Sequence, residues 1–158
     1  MMLMIEPLLF AVVSLCSEKE QIVFSCTTPT KKVVSLCSSS PVTQDAGYLQ
    51  YRFGLAGKTP ELTYPTSRQL PRGLFLSGTM MFSGGGGAYL KFTNAAYTYA
   101  VFTGIGKGWK KEGVVVQKAG KQMAYLQCKG RWTSELGPDF FDKVKIQKDP
   151  QEADFEIP

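Results

Sequence analysis

The chain has 158 residues, enough for one domain with a real core and too few for two. Hydrophobic residues make up 44% and charged residues 20%, which excludes wholesale disorder, and the absence of any histidine excludes Ser-His-Asp and Cys-His nucleophiles, His-containing zinc sites and the commonest general base. The formal charge of +5 is carried by scattered bases (Lys31 and Lys32, Lys107, Lys110 and Lys111, Lys118 and Lys121), with no dense arm of the kind that tracks phosphates, so nucleic acid is not an expected partner.

The chain opens with MMLMIEPLLFAVVSLCS. Residues 8–15 form an apolar run as long as a signal-peptide core and too short to cross a bilayer as a helix. Ser14, Cys16 and Ser17 are the small residues a processing site uses, whereas Glu6 and Pro7 stand where a positive charge is usual. Residues 1–17 are therefore expected to be an atypical secretory signal; a first strand or a lipid-modified Cys16 are the alternatives. Removing this segment takes away Glu6 and no base, which raises the charge from +5 to +6. Residues 18–136 then read as an antiparallel β domain, and 137–158 as a short helix with an acidic tail.

Period-two alternation and β-branched or aromatic enrichment place strands at 21–26, 32–37, 48–53, 61–64, 74–82, 88–93, 97–103, 113–118 and 122–128. Short Pro-, Asn- and Gly-containing links, such as TPTK, TNAA and KAGK, suit hairpins. Consecutive strands on short links must be antiparallel, so the fold class is all-β, a meander closing into a small barrel or sandwich. After Cys128 the pattern changes. In SELGPDFFDKVKI, Pro138 suits a first helical turn, Asp139 the helix start, and Phe140, Phe141 and Val144 an apolar stripe. The tail QKDPQEADFEIP is acidic and expected to be loose, with Phe155 and Ile157 able to dock.

Four cysteines, Cys16, Cys26, Cys37 and Cys128, form no C-x-x-C pair, so no metal site is expected. In an oxidising compartment Cys26–Cys37 is the leading disulfide, closing a short loop and adding roughly 2–4 kcal/mol. Cys26–Cys128 is the alternative. One cysteine is left over unless Cys16 is retained.

Three glycine-bearing stretches invite a phosphate-site reading. GLAGKTP ends like a P-loop, but Arg52 stands where the first glycine belongs and Pro60 stops any following helix. GIGKGW lacks the strand-loop-helix context of a dinucleotide site. The run FSGGGGAYLKF lies between strands, so no helix dipole backs its amides. Residues 84–87 are either a structural bend or a protruding recognition loop presenting Ser83, Gly84, Gly85 and Tyr89. Lys107, Trp109 and Lys110 supply a basic, aromatic loop to sit beside it. Asp45, Glu61, Asp139 and Asp142 show no spacing that pairs two carboxylates for glycosidase chemistry, so an enzyme is not expected.

The segments IVFSCTT and KKVVSLC, GYLQYRFG, GGGGAYLKFTN with YTYAVFTGIGKGW, KEGVVVQKAGK and the ending FEIP resemble a family of small, uncharacterised exported proteins of proteobacteria, over nearly all of the chain after Gln21. That resemblance implies export and supports a Cys26–Cys37 bond. Ser83 and Gly84 with Tyr89 are also similar to the S-G-x-x-Y loop that periplasmic inhibitors of c-type lysozyme insert into the enzyme's cleft. Here the serine–tyrosine gap is longer, and GKGWKKEG only echoes the accompanying lysine segment. A basic inhibitor suits an acidic target better than a basic lysozyme.

The resulting expectation is a periplasmic or secreted, non-enzymatic protein without a cofactor that inhibits or neutralises a protein partner, a cell-wall hydrolase or toxin. Ser83, Gly84, Gly85, Tyr89, Lys107, Trp109 and Lys110 are its contact residues. The alternative is an envelope module that binds glycan or lipid, in contact with peptidoglycan or a membrane surface.

Overall fold

The computed structural model describes residues 13–158. Among the described residues the strands are β1 (Gln21–Thr27), β2 (Lys32–Ser38), β3 (Leu49–Leu55), β4 (Leu62–Tyr64), β5 (Leu76–Phe82), β6 (Gly85–Asn94), β7 (Tyr97–Gly106), β8 (Trp109–Lys118), β9 (Lys121–Gln127), β10 (Lys129–Ser134) and β11 (Gln147–Lys148). They form two sheets, β10-β1-β2-β3-β4 and β11-β5-β6-β7-β8-β9. The all-β expectation holds, and the architecture is a two-layer sandwich. Neighbouring strands are antiparallel except β11, which runs parallel to β5. β11 reaches that edge by way of helix α1 (Pro138–Val144), a connection long enough for a parallel pairing.

Alternation decides which side chains fill the space between the sheets. In β6, Ala88, Leu90 and Phe92 join the main core, whereas Tyr89 belongs to a second cluster on the opposite face. The main core also takes Phe24, Leu36, Leu49, Tyr51, Val101 and Val114. Aromatic rings stack through its centre, Tyr64 on Phe92 at 4.4 Å and Phe92 on Tyr99 at 4.9 Å. The predicted helix forms as expected, with Pro138 in its first turn and Phe140, Phe141 and Val144 buried.

Each sheet is covered on its outer face by a terminal segment. Across the first sheet, the Leu15 N–H donates to Ser35 Oγ at 3.0 Å and Ser25 Oγ donates to the Val13 carbonyl at 2.7 Å. Glu20, with its side chain only 2% exposed, accepts from both Arg52 Nη1 (2.6 Å) and Nη2 (2.8 Å) and from Tyr48 Oη (2.6 Å). Burial alone would raise the Glu20 carboxyl. The hydrogen bonds from Arg52, the Ser17 amide and Tyr48 outweigh it and hold the carboxyl down at about 2.

The disulfides are Cys16–Cys37 and Cys26–Cys128. This corrects the expected Cys26–Cys37 bond. Cys26 lies opposite Val34 in the β1–β2 ladder, and Cys37 is three residues beyond Val34 on β2, about 10 Å further along. Cys26 faces the main core, while Cys37 meets Cys16 on the outer face, so no small movement joins the two. Cys26–Cys128 ties β1 to the point where the chain leaves β9 in one sheet and enters β10 in the other. Most of the expected leader lies outside the described residues. A cut near Ser17 would remove Cys16 and leave Cys37 without its partner.

Candidate functional site

The glycine run is the floor of a trough. Only Gly84 lies in a turn, with φ +78°, paired with Ser83 between β5 and β6. Gly85 to Gly87 open β6 itself. The ladder places Met80, Gly87, Gly104 and Lys111 in one row across β5, β6, β7 and β8. Nearer the strand ends, Phe82 stands opposite Gly85 and Gly106 opposite Trp109. Two central strands therefore carry glycine on the outer face, walled by Met80 and Phe82 on one side and Trp109 and Lys111 on the other.

The neighbours of these glycines show why side chains are absent. A Cβ on Gly104 would collide with Ile157 Cδ1, and one on Gly106 with the Trp109 indole. A Cβ on Gly85 would collide with the Ile105 carbonyl, and one on Gly87 would come within 2.9 Å of the Thr103 carbonyl and 3.3 Å of Ile157. Glycine here permits close approach rather than an unusual turn.

The acidic tail lies in this trough. Asp149 is its anchor, accepting from Tyr89 Oη at 2.7 Å and from Lys91 Nζ at 2.9 Å. Burial would raise the Asp149 carboxyl, but bonds from the Gln151 amide, Tyr89 and Lys91 outweigh this and hold it below the usual carboxylate range. The Tyr89 phenol is pushed well above its ordinary value by burial and by Asp149. Beyond a short 3-10 turn (Glu152–Asp154), Phe155 stacks on Tyr89 at 4.1 Å and Ile157 sits over Gly87 and Gly104. Lys111 Nζ donates to the Pro158 main-chain oxygen at 2.7 Å. A cleft of about 530 Å³ stays open beside the tail, lined by Met80, Phe82, Trp109, Lys111, Phe155 and Ile157.

The expected contact residues divide into three groups. Ser83, Gly84 and Lys107 do meet: the Lys107 N–H donates to the Ser83 carbonyl at 3.1 Å, so the β5–β6 and β7–β8 turns form one tip. Gly85 and Trp109 join them as floor and wall, and Phe82 lies 5.4 Å from the Trp109 ring. Tyr89 does not belong to a presented loop. It is fully buried and bonded to Asp149, because it falls one step further along β6, under Phe155. Lys110 points to the other face of the sheet, over Trp132 at 4.7 Å, as the alternation from Trp109 and Lys111 requires.

Sequence reasoning passed over Met81 and Ile105. They flank Gly86 on the core-side face of β6, past the cover of the other sheet, and are 92% and 45% exposed. The signal for the trough was nonetheless present: Gly85 and Gly87, and Gly104 and Gly106, recur at the strand period in two paired strands. No protein-family model, no curated protein and no solved structure matches the chain.

Proposed function

We propose that this is an exported, non-enzymatic binding protein that inhibits or neutralises another protein through the tip of its second sheet. The observation that supports this most is the pair of apolar side chains, Met81 and Ile105, left in solvent on either side of Gly86 beside the joined turns. Exposed apolar groups gathered at one end and rimmed by polar residues mark interaction surfaces. The rim is Ser83 and Lys107, and the chain is basic overall, so an acidic hydrolase or toxin suits it. The two disulfides point to an oxidising, extracytoplasmic setting, and we place the protein in the periplasm or outside the cell. Retention of Cys16 then puts any leader cleavage ahead of that residue.

Capture from an envelope extract tests this reading, with the native protein beside a Met81→Asp, Ile105→Asp variant. Met81 is almost wholly exposed and Ile105 about half so, and neither belongs to a core cluster. The expected result is one acidic hydrolase or toxin recovered by the native protein alone, its activity falling to a one-to-one endpoint on titration. Equal recovery by both proteins, or a recovered enzyme whose activity does not change, refutes it.

A second reading, glycan binding, draws on Trp109 and Phe82 at the lip of the open cleft, since aromatic faces suit sugar rings. Sedimentation with purified peptidoglycan separates the two readings, because only a glycan binder pellets with it.

A further inference from the structure

We infer that the trough on the outer face of the second sheet is a peptide-binding groove, and that the partner displaces the protein's own tail from it with an acidic segment carrying an aromatic residue and an aliphatic residue two positions later. The inference rests on the protein-binding reading above and names the chemistry of the partner.

The trough is specific in shape. Rows of glycine on β6 and β7 lower its floor, while Met80, Phe82, Trp109 and Lys111 raise its walls. Sheets bury apolar side chains on a face when that face only needs covering; here side chains have been removed to admit a chain lying across them. The resident segment shows what is admitted. Phe155 takes the site over Tyr89, and Ile157 takes the glycine floor. Glu152, Asp154 and Glu156 alternate with them, and Lys91, Lys107 and Lys111 stand on the sheet below and at the tip. The spacing is that of Phe155 and Ile157, and the charge match rests on Asp149 held by Lys91 and on Lys111 meeting the Pro158 main-chain oxygen, so an acidic aromatic-x-aliphatic pattern suits the groove.

The tail is built to leave while the rest of the domain stays. Asp149 is fixed by Tyr89 and Lys91 and is buried, so the chain is held up to that residue. Past it, the main-chain bonds of the tail are local: Asp154 N–H to Gln151, and Phe155 N–H to Glu152. Its ties to the sheet are Phe155, Ile157, the bond from Lys111 to Pro158, one from the Thr79 N–H to Glu152 and an ion pair of Glu152 with Lys148 of β11 at 3.7 Å. The segment over the first sheet contrasts with this, being bonded covalently through Cys16. The open cleft continues the trough past Ile157 to Phe82 and Trp109, which gives an incoming chain a place to begin.

The test uses a dye-labelled peptide of residues 151–158, QEADFEIP, with the full-length chain. In the variant Phe155→Ser, Ile157→Ser the trough is vacated. Fluorescence anisotropy should show at least tenfold tighter binding of the peptide to this variant than to the native chain, and no binding of a peptide in which the phenylalanine is serine. Hydrogen exchange on the native chain needs no variant: excess peptide should speed exchange at residues 152–158 and leave β6 and β7 unchanged. No anisotropy change with a folded variant, or no change of exchange in the native tail, overturns the inference. So does a concentration-dependent dimer that exchanges tails between copies without binding peptide. Loss of partner capture in the Met81, Ile105 variant together with a failed peptide experiment would leave the binding reading standing and remove only the groove.

Discussion

Replacing Gly104 by alanine sets two effects of opposite sign against each other. Glycine within a strand costs roughly 0.5–1 kcal/mol relative to alanine, so the substitution in open space would stabilise the fold by that amount. In the trough, the new methyl would collide with Ile157 Cδ1 and come within 3.3 Å of the Trp109 ring. Displacing Ile157 from its half-buried seat forfeits on the order of 1–2 kcal/mol of apolar burial. The balance predicts a net loss of up to about 1.5 kcal/mol, read from urea denaturation with an unchanged m-value. A cycle with Ile157→Ala isolates the cause: without the isoleucine, Gly104→Ala should become neutral or stabilising, a coupling of about 1 kcal/mol. A Gly104→Ala protein more stable than the native one would refute the close-approach argument. Gly85→Ala serves as the harsher comparison, because there the obstacle is the Ile105 carbonyl, which cannot rotate away; a loss of about 2–3 kcal/mol is expected.

Other perturbations test the frame around the site. Replacing Cys26 and Cys128 together by serine should cost more than replacing Cys16 and Cys37 together, about 4–5 against about 3 kcal/mol, because the closed loops span 102 and 21 residues; urea midpoints compare them. Glu112 is buried with Oε1 lacking a hydrogen-bond partner among the described residues, and burial, partly opposed by Lys110, raises its carboxyl to about 7. The folded state then binds the proton more tightly than the unfolded one, so stability is greatest below about pH 4.5 and falls as the pH rises to 7. Glu112→Gln should stabilise by about 1–3 kcal/mol at pH 8 and change little at pH 4, as thermal melts at the two pH values would show. Glu20 has the opposite sign. Its carboxyl is held at about 2, so its contribution is present above about pH 4.5 and is lost as the pH falls through 2. Glu20→Gln should cost about 3 kcal/mol at pH 7 and flatten that acid limb of the stability curve.

Much of this molecule can be read along the chain, and the failures have physical causes. Strands with clean alternation, such as YTYAVF in β7, declare both their existence and their faces. Strand β10, KGRWTS, does not, since glycine and two bases interrupt its pattern; it is recruited by pairing with β1 after the chain changes sheets. The disulfides depended on register. Nearness in sequence favoured Cys26–Cys37, whereas the ladder sets those residues three positions apart and on opposite faces. Tyr89 was read with Ser83 because they share a short stretch, but strand periodicity carries Tyr89 under the tail. The tail itself was legible in part: Phe155 and Ile157 were the apolar residues able to dock, and they do, on glycines whose purpose only the cross-strand pairing reveals.

The central claim is that the joined turns at the end of the second sheet are a protein contact surface. A photo-activatable side chain placed at Lys107 tests it most directly, with a control at Ala119 in the turn at the other end of β8, about 30 Å away. Irradiated in an envelope extract, the probe at position 107 should yield one discrete adduct with an acidic protein, and the probe at 119 should yield none. Matching adduct patterns from both positions, or no adduct from either, would contradict the account.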